Sequence, residues 1–363
     1  MEPRDYIPAY LEREYLASHE GLTPAARSLV HEEIRRDPTR YATTEHAQAL
    51  VAYARAHEHL MFELERMEEL TDQEFEKRRD RLFAETRSAL HDIARADRLC
   101  IDARLVEIML ANVPIDACLN DLMKLEGEVH EHLAADPAFD DDAPGYWRED
   151  RLGGMSCAER TRTDPVMIGW LHTLEAISQL AMASARYRAS AEYAQKVMRA
   201  QGYANHAYGT VLLALARLED EDGFFAAARQ ADKAADAGAD ADAGSTDATP
   251  REPGLSDSVE DSPWYLLGRT LLLFKLGRRK NARRALKDFA ARCEGGAFFL
   301  LNPTYLTPYL PVRPPVREVW ELSHQAVWEA DGIIVDTPDF CTWAAQVEGI
   351  EDISENFARQ YGF

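Results

Sequence analysis

The chain is poor in the residues that build sheets. Ile, Val and Thr together supply only about an eighth of its 363 residues, whereas Ala, Leu, Glu and Arg dominate. β-Branched side chains suit a pleated surface, while these four are strong helix formers, so the expected fold class is all-α. The punctuation agrees. Thr23-Pro24 offers an N-cap followed by proline at the first helical position, and Asp37-Pro38 closes that helix. From Thr44, the apolar positions Ala47, Leu50, Val51, Ala54, Leu60 and Phe62 keep helical spacing. Thr71-Asp72-Gln73-Glu74 has the pattern of a capping box, opening a helix through Phe75, Leu82, Phe83, Leu90 and Ile93. Residues 99–112 and 114–135 form an expected hairpin around Asn112-Val113-Pro114, with Leu119, Leu122, Met123, Leu125, Val129 and Leu133 as the buried stripe of its second helix.

Composition divides the chain into segments. Residues 1–135 read as a helical hairpin array, and 136–165, with Asp136-Pro137, Pro144-Gly145 and Gly153-Gly154, as a linker. Helices resume at Pro165. Residues 233–262 carry eight acidic and two basic residues with only Leu255 and Val259 as larger apolar side chains, the composition of a disordered acidic loop. Helices 263–276 and 279–293 follow. Pro303, Pro308, Pro311, Pro314 and Pro315 exclude helix over 302–315, so 304–363 reads as an irregular cap holding a helix 316–330, a short strand Ile333-Ile334-Val335 and a final helix near 353–360.

Charge narrows the function classes. The formal net charge is −22, with 63 Asp+Glu against 41 Lys+Arg, which opposes non-specific binding to nucleic acid or to an anionic membrane. No apolar run is long enough for a membrane span, and the opening Met1-Glu2-Pro3-Arg4-Asp5 is not followed by a signal-peptide core. The cysteines are five, far apart, and form no C-x-x-C pair, so reduced thiols and a cytoplasmic location are expected rather than disulfides or a zinc site.

Trp264-Tyr265-Leu266-Leu267-Gly268, then Leu271-Leu272, Leu276-Gly277, Ala282, Ala285-Leu286 and Pro303 together resemble the tetratricopeptide repeat (TPR). The stretch from Gly268 to Gly277 is two residues longer than that family's spacing. A second copy lies at Tyr208-Gly209, Leu212, Phe225 and Ala228, and a third at Ile177-Ser178, Ala181, Tyr187, Ser190, Ala194 and Val197. The resemblance covers 166–303. It implies a right-handed superhelix of antiparallel helix pairs, in which Gly268 and Ala282 face each other, and a non-catalytic adaptor that binds a protein or peptide without a cofactor. It also implies a groove lined by the first helix of each repeat: His172, Glu175 and Gln179, then Tyr203, His206 and Thr210, then Tyr265 and Arg269.

Other chemistry is poorly supported by spacing. His57-Glu58-His59 and His130-Glu131-His132 place their rings about 200° apart on a helix, so neither pair can share a metal, and solvated surface histidines are expected. Gly154-Met155-Ser156-Cys157-Ala158 lacks the closing glycine of a nucleophile elbow. An EF-hand aligned from Asp240 puts Ser245 and Arg251 where Gly and Glu are required. No catalytic or metal-binding residue is therefore assigned. Arg278, Arg279, Lys280, Arg283, Arg284, Lys287 and Arg292 form a basic helix, either a solvated face near the acidic loop or a docking patch. Trp320, His324 and Trp328 share a stripe expected to cap the last repeat. The alternative function is an enzyme or small-ligand protein with its site between the last repeat and this Trp-rich segment.

Overall fold

The computed structural model describes residues 1–19, 21–67, 70–203, 205–242, 258–306, 316 and 318–363. The described residues hold seventeen α-helices and no strand; their sole β feature is an isolated bridge between Phe139 and Trp147. The all-α expectation holds. Two compact units are distinguished, residues 1–177 with 199–205, and residues 178–198 with 206–363.

The first unit contains α1 (Pro3–Ser18), α2 (Pro24–Arg36), α3 (Glu45–Glu65), α4 (Asp72–Ala96), α5 (Ile101–Met109), α6 (Ile115–Ala134), α7 (Cys157–Arg162) and the start of α8 (Pro165–Ala183). Helices α3, α4 and α5 each pack on the next in chain order, and α1 packs on α2 and α3. Local chemistry sets the helix starts: Thr23 accepts from the Ala26 N–H and Thr44 from the Ala47 N–H, satisfying free donors of the first turn. At α4 the expected capping box is not made among the described residues: the Thr71 hydroxyl donates to the Glu74 carboxylate at 2.7 Å, and neither side chain caps a backbone N–H. In α6 the stripe is buried as expected except for Met123, which is exposed, while Cys118 is buried in addition.

Residues 136–165 are not a linker. Phe139, Tyr146, Trp147 and Cys157 are buried, Tyr146 and Phe139 pack edge-on against Trp170, and Trp147 Nε1 donates to Thr161 at 3.0 Å. The turn residues that suggested a linker bend the chain, and Phe139, Tyr146 and Trp147 between them pack into the core beside Trp170. Division between the units falls inside α8, between Ile177 and Ser178.

The second unit continues with α9 (Tyr187–Met198), α10 (Ala207–Arg217), α11 (Glu221–Asp242), α12 (Pro263–Lys275), α13 (Arg279–Arg292), α14 (Gly296–Leu301), α15 (Val319–Val335), α16 (Phe340–Ala345) and α17 (Ile350–Tyr361). Helix α10 packs on α9, α11 and α12, and α12 packs on α13 and α15. Three expectations change here. Helix α11 runs to Asp242, so residues 233–242 are helical; Val259 is buried and its N–H donates to Asp232 at 2.7 Å, so 258–262 is also ordered. The middle of the expected acidic loop, 243–257, lies outside the described residues, as does most of the proline-rich 302–315. Ile333, Ile334 and Val335 are the last turn of α15 rather than a strand, since Ile333 and Ile334 are buried at positions continuous with Ala326, Val327 and Ala330.

Gly268 does not face Ala282. A Cβ placed on Gly268 would meet Phe224 Cε2 at 3.0 Å and the Leu212 carbonyl at 3.7 Å, so this glycine lets α12 approach the preceding hairpin. Gly209 serves the same purpose in the preceding hairpin, where an added Cβ would lie 2.4 Å from Cδ1 and Cγ of Trp264. The stripe expected to cap the last repeat packs elsewhere at Trp320 and His324: His324 is edge-on to Phe299 of α14 at 4.8 Å and hydrogen-bonded to the Tyr305 backbone, and Trp320 lies against Phe357 of α17.

Candidate functional site

The eight residues expected to line one groove divide between the units. His172, Glu175 and Tyr203 belong to the first, and Gln179, His206, Thr210, Tyr265 and Arg269 to the second. Their exposures differ as well. Tyr203, Thr210 and Tyr265 are buried, His172, Glu175, His206 and Arg269 are half-buried, and Gln179 is exposed. The expectation that these side chains all stand clear of the core is corrected for the three buried ones.

In the first unit the structure reveals a polar network around Asp102. Helix α5 carries this aspartate among Ile101, Ala103, Leu105 and Val106, all buried, and Asp102 itself is 4% exposed. A lone buried carboxylate requires partners. Tyr6 OH donates to Asp102 Oδ2 at 2.6 Å, and His172 Nδ1 donates to Oδ1 at 2.9 Å. Burial alone pushes the Asp102 carboxyl upward, but the His172 imidazole and the two hydrogen bonds outweigh it and hold the acid below its ordinary value. Burial, and after it the same carboxylate, drives the hydroxyls of Tyr6 and Tyr53 well above the ordinary phenol value. His57 sits 6.0 Å from Tyr53, ring to ring, and its Nε2 is buried without a hydrogen-bond partner among the described residues. Burial holds this imidazole below its ordinary value, with His172 and Arg4 adding to the effect and Asp102 opposing it. His57 is therefore not the solvated histidine expected from its motif; His59 is. His130 is half-buried, bonded to Asp141 at 2.8 Å and beside Trp170. Beyond the network, His172 packs on Tyr203 with centroids 5.7 Å apart, and Tyr203 OH donates to Glu175 at 2.7 Å.

Asp102 orients His172 through Nδ1, and the Met1 amino group stands 3.4 Å from Nε2, the nitrogen an imidazole oriented in this way would use as a base. The nearby thiol does not match it: Cys100 is buried and its pKa is pushed far up, chiefly by desolvation. The sequence signal that could have found Asp102 is its own position, an acid at the buried spacing of Leu105 and Val106.

In the second unit, His206 stacks on the fully buried Trp264 at 4.8 Å, and Trp264 Nε1 donates to Glu329 at 2.8 Å. Tyr265 packs on Phe224 at 5.5 Å; burial and then Glu260 raise its pKa, while Arg269 opposes them. Arg269 forms no ion pair among the described residues. The motif at Ser156-Cys157 is structural, with Ser156 capping α7 by accepting from the Glu159 N–H and the Cys157 thiol raised by burial. Among the described residues no group of three His, Cys, Asp or Glu side chains is placed to hold a metal ion, and no helix is long and apolar enough to cross a membrane. Compared with protein-family models, curated proteins and solved structures, the chain matches none.

Proposed function

We propose that the chain is a non-catalytic, TPR-like helical scaffold that binds a protein or peptide partner, with the second unit as its stack of hairpins. The observation that carries this reading is a reciprocal glycine–aromatic interlock at one junction: Gly209 of α10 receives Trp264 of α12, and Gly268 of α12 receives Phe224 of α11. Close approach between neighbouring hairpins is what the stacking of helical repeats requires. Arg269 is the anchor on that surface, a half-buried cation with its guanidinium free to take a carboxylate through two hydrogen bonds. Tyr265 supports it from below as a buried side chain, which revises its role from anchor to foundation. The raised thiols of Cys100, Cys157 and Cys293 are poor nucleophiles, which also favours binding over covalent chemistry, and unpaired cysteines suit a reducing compartment such as the cytoplasm.

A peptide selected from a random library against the whole protein tests this reading. Arg269→Ala is expected to keep full helicity and to weaken that peptide by about tenfold, the loss of one charge-assisted contact. Unchanged affinity removes Arg269 from the surface, and a library that yields no binder removes the scaffold reading. The second reading, a small-ligand site in the C-terminal segment, draws on the partly exposed aromatic cluster of Trp320, Tyr305, Tyr361 and Phe363.

A further inference from the structure

Helix α13 buries Ala282, Ala285, Leu286, Phe289 and Ala290, and turns Lys280, Arg283, Arg284 and Lys287 to solvent. These four cations are neighbours at spacings of three and four along the helix, so every adjacent pair repels and the helix is weakened by carrying them together. The two ends of the same basic run are treated differently. Arg278 pairs with Glu221, Arg292 pairs with Asp261, and Arg279 lies over the Phe274 ring at 3.4 Å. Lys287 reaches only Glu348, at 3.5 Å, on a side chain that is 96% exposed. Lys280, Arg283 and Arg284 have no ion-pair partner among the described residues.

We propose that the outward face of α13 is a docking surface for an acidic segment of a partner protein, one that presents carboxylates at helical spacing. Charge complementarity names the partner. The cations recur one helical turn apart, the distance at which carboxylates three or four residues apart recur on a second helix, and the Arg283 and Arg284 forks suit planar carboxylates. A nucleic acid fits less well: one short strip releases few counterions, and the net charge of −22 repels a long polyanion at every distance beyond it. This surface is on α13 and does not use Arg269, so the proposal and the one above fail separately.

The test is fluorescence anisotropy of the full-length protein with a fluorescein-labelled peptide of repeating Glu-Ala-Ala-Ala, run across a salt series. The wild type is expected to bind it with an affinity that falls as salt rises. Lys280→Glu/Arg283→Glu/Arg284→Glu should lose at least about tenfold and bind the Lys-Ala-Ala-Ala peptide instead, with helicity and melting temperature retained. Arg188→Gln, which removes an exposed cation on α9, should bind as the wild type does. Should the reversed variant fail to fold, the triple Gln variant of the same positions takes its place. The proposal is overturned if the wild type ignores the Glu peptide, if the triple variant binds it equally well, or if a single-stranded oligonucleotide of the same charge binds the strip more tightly.

Discussion

Gly209→Ala adds one methyl group where the structure has no room for it. The new Cβ would stand 2.4 Å from two ring atoms of Trp264 and 2.9 Å from a third, about one ångström inside ordinary contact. Trp264 is fully buried, its Nε1 is committed to Glu329 at 2.8 Å, and its ring stacks on His206, so it cannot shift without disturbing a contact. Overpacking of this kind costs about 1–3 kcal/mol, and an immobile ring places the change at the upper end. Alanine returns about 1 kcal/mol through helix propensity, leaving a net loss of about 2 kcal/mol. For a unit of this size that lowers the melting temperature by about 4–8 °C. Two other glycines calibrate the experiment. At Gly268 the nearest atom is Phe224 Cε2 at 3.0 Å, a neighbour that needs to move only slightly, so alanine there should be within about 1 kcal/mol of the wild type. At Gly332 in α15 nothing lies within 4 Å of the added carbon, and alanine should stabilise by about 0.5–1 kcal/mol. Circular-dichroism melts and urea titrations of the three variants should fall in that order. If Gly209→Ala is as stable as Gly332→Ala, the interlock does not exist and the solenoid reading loses its support.

Further outcomes follow from the buried groups. Because burial lowers the His57 proton affinity in the fold, the unfolded chain protonates first; the stabilisation is complete above pH 6.5 and is lost as pH falls below it, a slope that His57→Phe should flatten in urea titrations at stepped pH. Asp102 is depressed in the fold, so its contribution is present above pH 3.8 and disappears as pH falls through its lowered value. Asp102→Ala strands the Tyr6 hydroxyl and the His172 ring and should cost about 3–5 kcal/mol at neutral pH; a loss below about 1 kcal/mol in the same titration would show that the network does not hold the first unit. Burial raises the Cys293 thiol to about 12 and that of Cys100 still further, whereas Cys341 is half-exposed, so peptide mapping after brief alkylation should find Cys341 modified first and the other two only in denaturant.

What the sequence determined by itself is the helical class and most helix positions. Those follow from local quantities: the Ala, Leu, Glu and Arg content, the caps at Thr23 and Thr44, and the stripe through Leu119, Leu122, Leu125, Val129 and Leu133. It failed where the answer depends on what lies opposite. Ile333-Ile334-Val335 is β-prone as a tripeptide but continues the buried face of a helix already in place. The turns of 136–165 look like a linker until Phe139, Tyr146 and Trp147 find Trp170. Tertiary structure alone decided the polar sites. Nothing near Asp102 in the chain announces Tyr6 or His172, which lie 96 and 70 residues away, and nothing beside Gly268 announces Phe224 rather than Ala282. It also decided which of seven neighbouring cations are neutralised, because Glu221 and Asp261 reach only the ends of α13. Helix formation is governed by interactions between residues three and four apart, which a sequence displays; burial and charge pairing depend on distances in space, which only the packed chain sets.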